Sequence, residues 1–337
     1  MNARGASAGY MTAALLAVAL TALGFSAPAA SQDYPTKAIS MVIGMDPGGV
    51  VDAASRVLSE EARKVLGQDI LVENKPGASH MVAGGYVVSS KADGYVVWGS
   101  TDAPFIRVPH MMKLKFDPIK ETTPIIFYGI FTHFVVVPAD SPFKTLKDML
   151  TFAKENPMKL TFGNPGFGTV PHLTMAGMDL ETGLKVSHVP FAGENKEIAA
   201  LLGGHLMAAG IAIESCIAQV QAGQLRAIAV LQGDRRLSAF PDIPTLKEVA
   251  KDFGMKSSVI YPGLMMSGPK GLPEPIVKKL AAAFDAGRKS PPFQKFAQEK
   301  YIFQDGMPLV GQVLHDHLEN GYKDTGELLQ KLGIQKK

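Results

Sequence analysis

A chain of 337 residues with 46% apolar residues is long enough to bury two hydrophobic cores. Its formal net charge of +3, with no basic block, argues against nucleic acid as a partner and against a strongly acidic docking face. A single cysteine, Cys216, excludes an internal disulfide.

Residues 1–30 read as an export signal. Arg4 supplies the positive start, residues 11–25 are apolar without charge, and Ala27-Pro28-Ala29 is a small-residue cleavage pattern. Cleavage near Ala29 or Ala30 predicts a periplasmic protein. The apolar stretch is shorter than the roughly 20 residues a membrane span needs, an uncleaved anchor being the alternative.

The apolar run 39–45 suits one buried strand and is too short for a helix. Asp46-Pro47-Gly48-Gly49 breaks it, since proline cannot extend a ladder and glycine tolerates backbone angles other residues avoid. Ala54, Val57, Leu58, Ala62 and Val65 then recur at helical spacing until Gly67 stops the helix. Such a turn aims the unpaired N–H groups of the helix start at the strand's carboxyl end, where an anion can be held. Any α/β domain also needs turns of this kind, so the unit alone leaves both readings open. A second strand (69–75), a helix to about residue 90 and a third strand (95–99) ending at Ser100-Thr101-Asp102 follow. This alternation predicts a parallel sheet with crossover helices, whose ligands sit beyond the strands' carboxyl ends. The loops 46–49 and 99–102 then face one crevice.

The apolar stretch 123–139 holds His133 and two prolines, and reads as buried strands rather than a membrane helix. Its end, 132–138, is extended. A helix follows, with Thr145 as N-cap and Leu146, Met149, Leu150 and Ala153 on one face. Next come a strand (159–163), a glycine loop (164–168) and a helix to about residue 182. Strands over 185–191, 206–213 and 225–231 alternate with helices. Thr245-x-x-Glu248 predicts a capping box. Residues 257–267 are extended again. A helix opening at Pro273-Glu274-Pro275 turns Val277, Leu280, Ala281 and Phe284 inward, and a last helix (309–332) closes the first domain. No internal repeat or low-complexity tract stands out.

Several stretches carry a family resemblance. Tyr34-Pro35-Thr36-Lys37, Pro47-Gly48-Gly49-x-x-Asp52-x-x-x-Arg56, Leu66-Gly67-Gln68, Val72-Glu73-Asn74-Lys75-Pro76-Gly77-Ala78 and Asp93-Gly94-Tyr95 come first. Lys159-Leu160-Thr161-Phe162-Gly163-Asn164-Pro165-Gly166-Phe167-Gly168, Pro171-His172-Leu173, Leu201-Leu202-Gly203-Gly204 and Ala222-Gly223-Gln224-Leu225-Arg226-Ala227 follow. Pro241-Asp242-Ile243-Pro244-Thr245 and Gly268-Pro269 complete the set. In this order they resemble the Bug family, the periplasmic solute receptors of tripartite tricarboxylate transporters.

The resemblance implies an α/β, two-domain periplasmic-binding-protein fold, type II-like, with mixed sheets, crossover helices and a hinge of two extended strands. Domain 1 is expected over 31–133 and 257–337, and domain 2 over 134–256. A small organic carboxylate is implied in the cleft, clamped by glycine loops from opposite domains, partly through ordered water. That role carries onto Gly48, Gly49, Asn164, Gly166, Phe167, Gly168 and Thr169, with Ser100 and Thr101 as candidates for a distal ligand group. Phe167 either covers an apolar part of the ligand or simply packs. Valine at position 168 is expected to remove binding with little change in melting temperature. The second loop is no nucleotide-binding loop, because it is not G-x-G-x-x-G and no lysine follows it. Asp52, in the first turn of its helix, is expected to pair with the helix dipole or to cap it rather than touch the ligand, since a carboxylate beside an anionic ligand repels it. Asp46, where proline is more usual, implies a cationic ligand group or a role facing away. His172 and Trp98 are expected to pack.

His205-Leu206-Met207 and Ile211-Ala212-Ile213 stand where the family often has polar residues. If they face the cleft, a second ligand charge would be costly there, roughly 1–3 kcal/mol per unpaired polar group and more for an ion. The expected ligand is then a monocarboxylate or aromatic acid rather than a polyacid. Membrane transporter subunits are the expected partners of a monomer without cofactor, metal or nucleic acid.

An enzyme is not expected. Beyond the expected export signal there is no G-x-S-x-G, H-E-x-x-H or C-x-x-C, and the eight histidines show no ligand spacing. Ser141-Pro142-Phe143-Lys144 matches S-x-x-K without its companion motifs. A receptor that hands its ligand-closed form to a membrane histidine kinase would use the same cleft and is the alternative.

Overall fold

The computed structural model describes residues 34–166, 168–191, 193–233, 236–256 and 262–334. The expected export signal, Phe167 and residues 257–261, where the returning strand was expected to begin, lie outside them.

The first sheet contains β1 (Ile39–Ile43), β2 (Ile70–Asn74), β3 (Val96–Thr101), β4 (Thr122–Ile130) and a strand from much later in the chain, β10 (Gly263–Pro269). Their order is β2-β1-β3-β10-β4. β1 lies parallel to β2 and β3, whereas β10 runs antiparallel to β3 and β4. The crossover helices are α1 (Val50–Leu66) and α2 (Met81–Val88), and two single turns, α3 (Ala103–Ile106) and α4 (Val108–Met111), follow β3.

The second sheet repeats the plan with β5 (His133–Pro138), β6 (Thr161–Asn164), β7 (Ser187–Pro190), β8 (Ala208–Ala212) and β9 (Leu225–Val230), in the order β7-β6-β8-β5-β9. Again three parallel strands adjoin an antiparallel one. Its helices are α5 (Leu146–Glu155), α6 (Val170–Thr182), α7 (Glu194–Leu202), α8 (Ile213–Gln221) and α9 (Leu246–Ala250). The C-terminal α10 (Glu274–Lys289), α11 (Pro291–Glu299) and α12 (Gly311–Lys331) complete a two-domain α/β fold. No helix among the described residues is long and apolar enough to cross a membrane.

Apolar strands covered on both faces explain the continuous runs in the sequence. The buried stripe of α1 is Val51, Ala54, Leu58, Ala62 and Leu66, while Val65 is 56% exposed, so the inward face is rotated from the predicted one. α1 approaches α10 closely at Gly287, where a Cβ would lie 3.1 Å from Leu58. On α10 the buried apolar side chains are Ile276, Leu280, Ala283 and Phe284, with Val277 and Ala281 at the margin. Thr145 and Asp148 form a reciprocal capping box at α5. At α9 only half a box forms: Thr245 accepts from the Glu248 N–H, but the Glu248 carboxylate is held by Arg236.

The chain passes between sheets at Phe131–Thr132. The Thr132 hydroxyl donates to Gln232 Oε1 at 2.6 Å, and the His133 N–H donates to the same oxygen at 2.9 Å. A second tie was not foreseen. α12 packs Gly321 on Ile106 in the first lobe, and its Leu328 lies against Gly177 of α6 in the second.

Candidate functional site

Beyond β1 the chain makes an exposed turn through Gly48 and Gly49. Gly48 has φ +92 with open space where a Cβ would stand, so backbone angle alone calls for glycine. Its N–H donates to Asp52 Oδ2 at 3.0 Å. Asp52 also accepts from Arg56 Nε at 3.0 Å and Asn74 Nδ2 at 2.9 Å. Burial pushes this carboxyl up, yet the bonds from Arg56, Gly48 and Asn74 outweigh it and hold the pKa at about 2. Asp52 therefore closes its own elbow by accepting from the residue before the N-cap, while the N-cap itself has no side-chain bond. Gly49, the N-cap of α1, brings no capping side chain, so the first-turn amides remain the donors here.

The second elbow, after β6, is also internally bonded. The Gly166 N–H donates to Asn164 Oδ1 at 3.1 Å, the Thr169 hydroxyl to Gly166 O at 2.6 Å, and the Gly168 N–H to His172 Nδ1 at 3.2 Å. His172 is buried edge-to-face on His188, and burial followed by the His188 charge lowers its pKa to about 4. It is neutral at pH 7, the state in which Nδ1 can accept the Gly168 N–H. Bare glycine amides were the sequence expectation; here Gly48, Gly166 and Gly168 each donate to a nearby side chain. Gly168 has φ +76, and a Cβ there would lie 2.4 Å from Met111 Cε of α4. Valine at this position thus strains the fold as well as the site, contrary to expectation. The contact also joins the second elbow to the first lobe.

The end of β3 differs. Ser100 and Thr101 belong to the strand, paired with Met265 and Leu264, so the loop starts at Asp102 rather than at Gly99. Ser100 is buried with no partner for its Oγ, and Thr101 is half-buried. Asp102 is fully buried; Oδ1 accepts the Gly263 N–H at 3.4 Å and Oδ2 has no partner. Burial pushes its carboxyl up to about 7, against the pull of Arg107. Arg107, between α3 and α4, has an enclosed Nε without a hydrogen bond, and burial lowers its pKa against the pull of Asp102. His80 packs over Gly44 at the end of a left-handed turn (φ 46, 51 and 74 at Ala78, Ser79 and His80), with Nδ1 unpartnered. Sequence reasoning missed Arg107 and His80. The available signal for Arg107 was a lone cation inside the apolar stretch 103–109.

From the second lobe, His133 places Nδ1 3.2 Å from Gln232 Oε1 and Nε2 4.0 Å from Glu194 Oε1. Burial lowers the His133 pKa, against the raising effect of Glu194 and Gln232 and with a further lowering from the Arg107 charge. Asn164 Nδ2 is buried without a partner. Polar groups of both lobes thus gather at the carboxyl ends of β3 and β6.

Residues 54–334 match the family described as "Tripartite tricarboxylate transporter family receptor". The chain belongs to this family. A Cupriavidus necator relative, "UPF0065 protein in gbd 5'region", is 35% identical over 334 residues, 97% of this chain and 98% of its own. Protein BugT of Bordetella pertussis is 26% identical, covering 88% of this chain and 89% of its own. A ligand-free TctC solute binding protein from Polaromonas superposes with a TM-score of 0.79 at 27% identity, covering 88% of this chain and 99% of that one.

Within this receptor fold the expected apolar cleft wall is not built as anticipated. Ile211 and Ile213 are fully buried in the core, and Met207 is half-buried against it, because β8 is an interior strand of its sheet. Trp98 is buried between Phe105 and Phe116, as expected. The Ser141 hydroxyl accepts from the Phe143 N–H, and Lys144 Nζ bonds the Ser141 carbonyl, so the S-x-x-K match is a local turn.

Proposed function

We propose that this family member binds a small organic carboxylate between its two lobes in the periplasm and delivers it to the membrane subunits of a tripartite tricarboxylate-type transporter. After loss of the export signal the lobes are residues 31–132 with 257–337, and 133–256, one residue from the expected boundary because β5 starts at His133. One observation supports the reading above the others. Buried polar atoms without partners (Ser100 Oγ, Asp102 Oδ2, Arg107 Nε, Asn164 Nδ2) lie at or just beyond the carboxyl ends of β3 and β6. Most buried polar groups in folded proteins are paired, so such a cluster marks a place for a ligand.

The first-turn amides after Gly48 and Gly49 and the loop Asn164, Gly166, Phe167, Gly168 and Thr169 hold one carboxylate from opposite sides, with Ser100 and Thr101 reaching its other end. The capped elbows keep that geometry rigid before the ligand arrives, which lowers the ordering cost of binding. The protein binds and releases its acid unchanged.

Thermal denaturation with a panel of organic acids tests this. An acid bound with micromolar affinity, about −8 kcal/mol, stabilises the fold by about 2.7 kcal/mol at a hundredfold excess over Kd. The acid is recovered intact afterwards. No stabilisation by any acid, or chemical conversion of one, contradicts the proposal.

A further inference from the structure

We infer that the crossing between the lobes carries a second ligand site, separate from the glycine elbows, for a small uncharged ring compound that offers one hydrogen-bond acceptor such as a carbonyl oxygen. The inference does not depend on which acid binds at the elbows.

The site is a cavity of about 180 Å³ beside the point where the chain leaves the first sheet. Phe127 and Ile130 of β4, with Met307 and Leu309 from the stretch after α11, wall it from the first lobe, and Leu237 walls it from the second. An apolar cavity of about 150 Å³ admits benzene, so this one has room for a single ring with a short substituent. None of the described elbow residues lines it. β4 is an edge strand, two places from β3 in the order β2-β1-β3-β10-β4, which sets the cavity to one side of the elbows.

The polar lining fixes the chemistry of the ligand. Gln232, 1% exposed, follows β9. Its Oε1 accepts the Thr132 hydroxyl and the His133 N–H. A backbone N–H can only donate, so the carbonyl end of the amide must face it and the amino end must lie on the other side. That Nε2 is buried without a partner, a cost that an incoming acceptor oxygen removes. His317 of α12 stands edge-on to Phe127, with ring centres 4.9 Å apart, and its Nε2 is also enclosed and unpartnered. Burial lowers the His317 pKa, so this ring adds no positive charge at pH 7.

Charge at the lining disfavours an acid. The Arg236 guanidinium is committed to both Glu248 oxygens, at 2.6 and 2.9 Å, and to the Pro241 carbonyl at 2.9 Å. Asp305 brings a carboxylate, which accepts from the Ser238 hydroxyl at 3.4 Å. An anion placed here would meet that carboxylate with no uncommitted cation among the described lining residues. A neutral ring with one acceptor matches the apolar walls and the spare Gln232 donor.

The test titrates the full mature protein with cyclohexanone by calorimetry and locates the compound in a crystal structure of the complex. Saturable binding with a Kd of about 1 mM or tighter is expected for a molecule of this size. Its density should fill the cavity, with the carbonyl oxygen in hydrogen-bond reach of Gln232 Nε2. Leu237→Phe fills the space and weakens binding at least about 10-fold. Gln232→Glu keeps an oxygen for Thr132 and His133 but removes the spare donor, and weakens binding roughly 3- to 10-fold. This second variant keeps the result readable if the phenylalanine variant folds poorly. Benzoate, tried in parallel, is expected outside the cavity. The inference is overturned by no saturable binding at about tenfold that concentration, by density elsewhere, or by ordered water alone in the cavity. Unchanged affinity in both variants, or benzoate seated in the cavity, overturns it equally.

Discussion

The glycine elbows and the end of β3 all lie at carboxyl ends of parallel strands, yet their polar groups are arranged in opposite ways. In the elbows Gly48 is tied to Asp52, Gly166 to Asn164 and Gly168 to His172. At β3, Ser100, Asp102 and Arg107 each leave a buried polar atom unmatched. A self-bonded loop holds a fixed shape and suits a chemical group common to many ligands. Unmatched groups are suited to a particular partner. Under the function proposed above, the elbows hold the carboxylate and the end of β3 discriminates between ligands.

The largest effect expected from breaking this division is at Gly168. Gly168→Val forces a β-branched residue into φ +76 and against Met111. Titration should show at least about a 100-fold loss of acid binding, with a lower melting temperature from roughly 1–2 kcal/mol of backbone strain. Unaltered affinity would remove the second elbow from the site.

Asp52→Ala should lower unfolding free energy by roughly 1–3 kcal/mol at pH 7, measured in urea, since three donors lose their acceptor. The folded pKa of Asp52 is depressed, so its contribution is present above the ordinary value of 3.8 and is lost as pH falls through about 2. The gap between wild type and variant should therefore close in acid.

Asp102 has the opposite sign. Its folded pKa is raised, so its contribution is complete below 3.8 and is lost as pH rises through about 7. Asp102→Asn should give a flatter melting profile than wild type across that window. Parallel profiles would mean that the carboxyl titrates normally. The smallest effect is expected at Val65→Ser, within about 0.5 kcal/mol, because this side chain faces solvent.

Much of the fold was legible because apolar runs of strand length alternate with glycine-stopped helices. The run at 39–45 and the Gly67 stop became β1 and the end of α1. The shared plan of the two sheets was not legible. In each, the fourth strand is antiparallel, and the chain enters β5 directly from the other sheet, so no local sequence repeat marks the likeness. At the site, the pair at 48 and 49 announced backbone angles that favour glycine; Gly48 has φ +92, whereas Gly49 is extended with φ −72. Which amides stay free depended on Asp52 and His172 reaching back four residues, a matter of side-chain direction rather than spacing. Arg107 was passed over because lacking a partner is a property of the folded surroundings. Ile211 misled for a related reason: an apolar residue near a strand end looks alike whether it lines a cleft or a core.

A crystal structure of the protein with the acid that stabilises it most tests the central claim most directly. The account predicts carboxylate density between the start of α1 and the start of α6, touched by both lobes. Density on one lobe alone, or on an outer face, would contradict it.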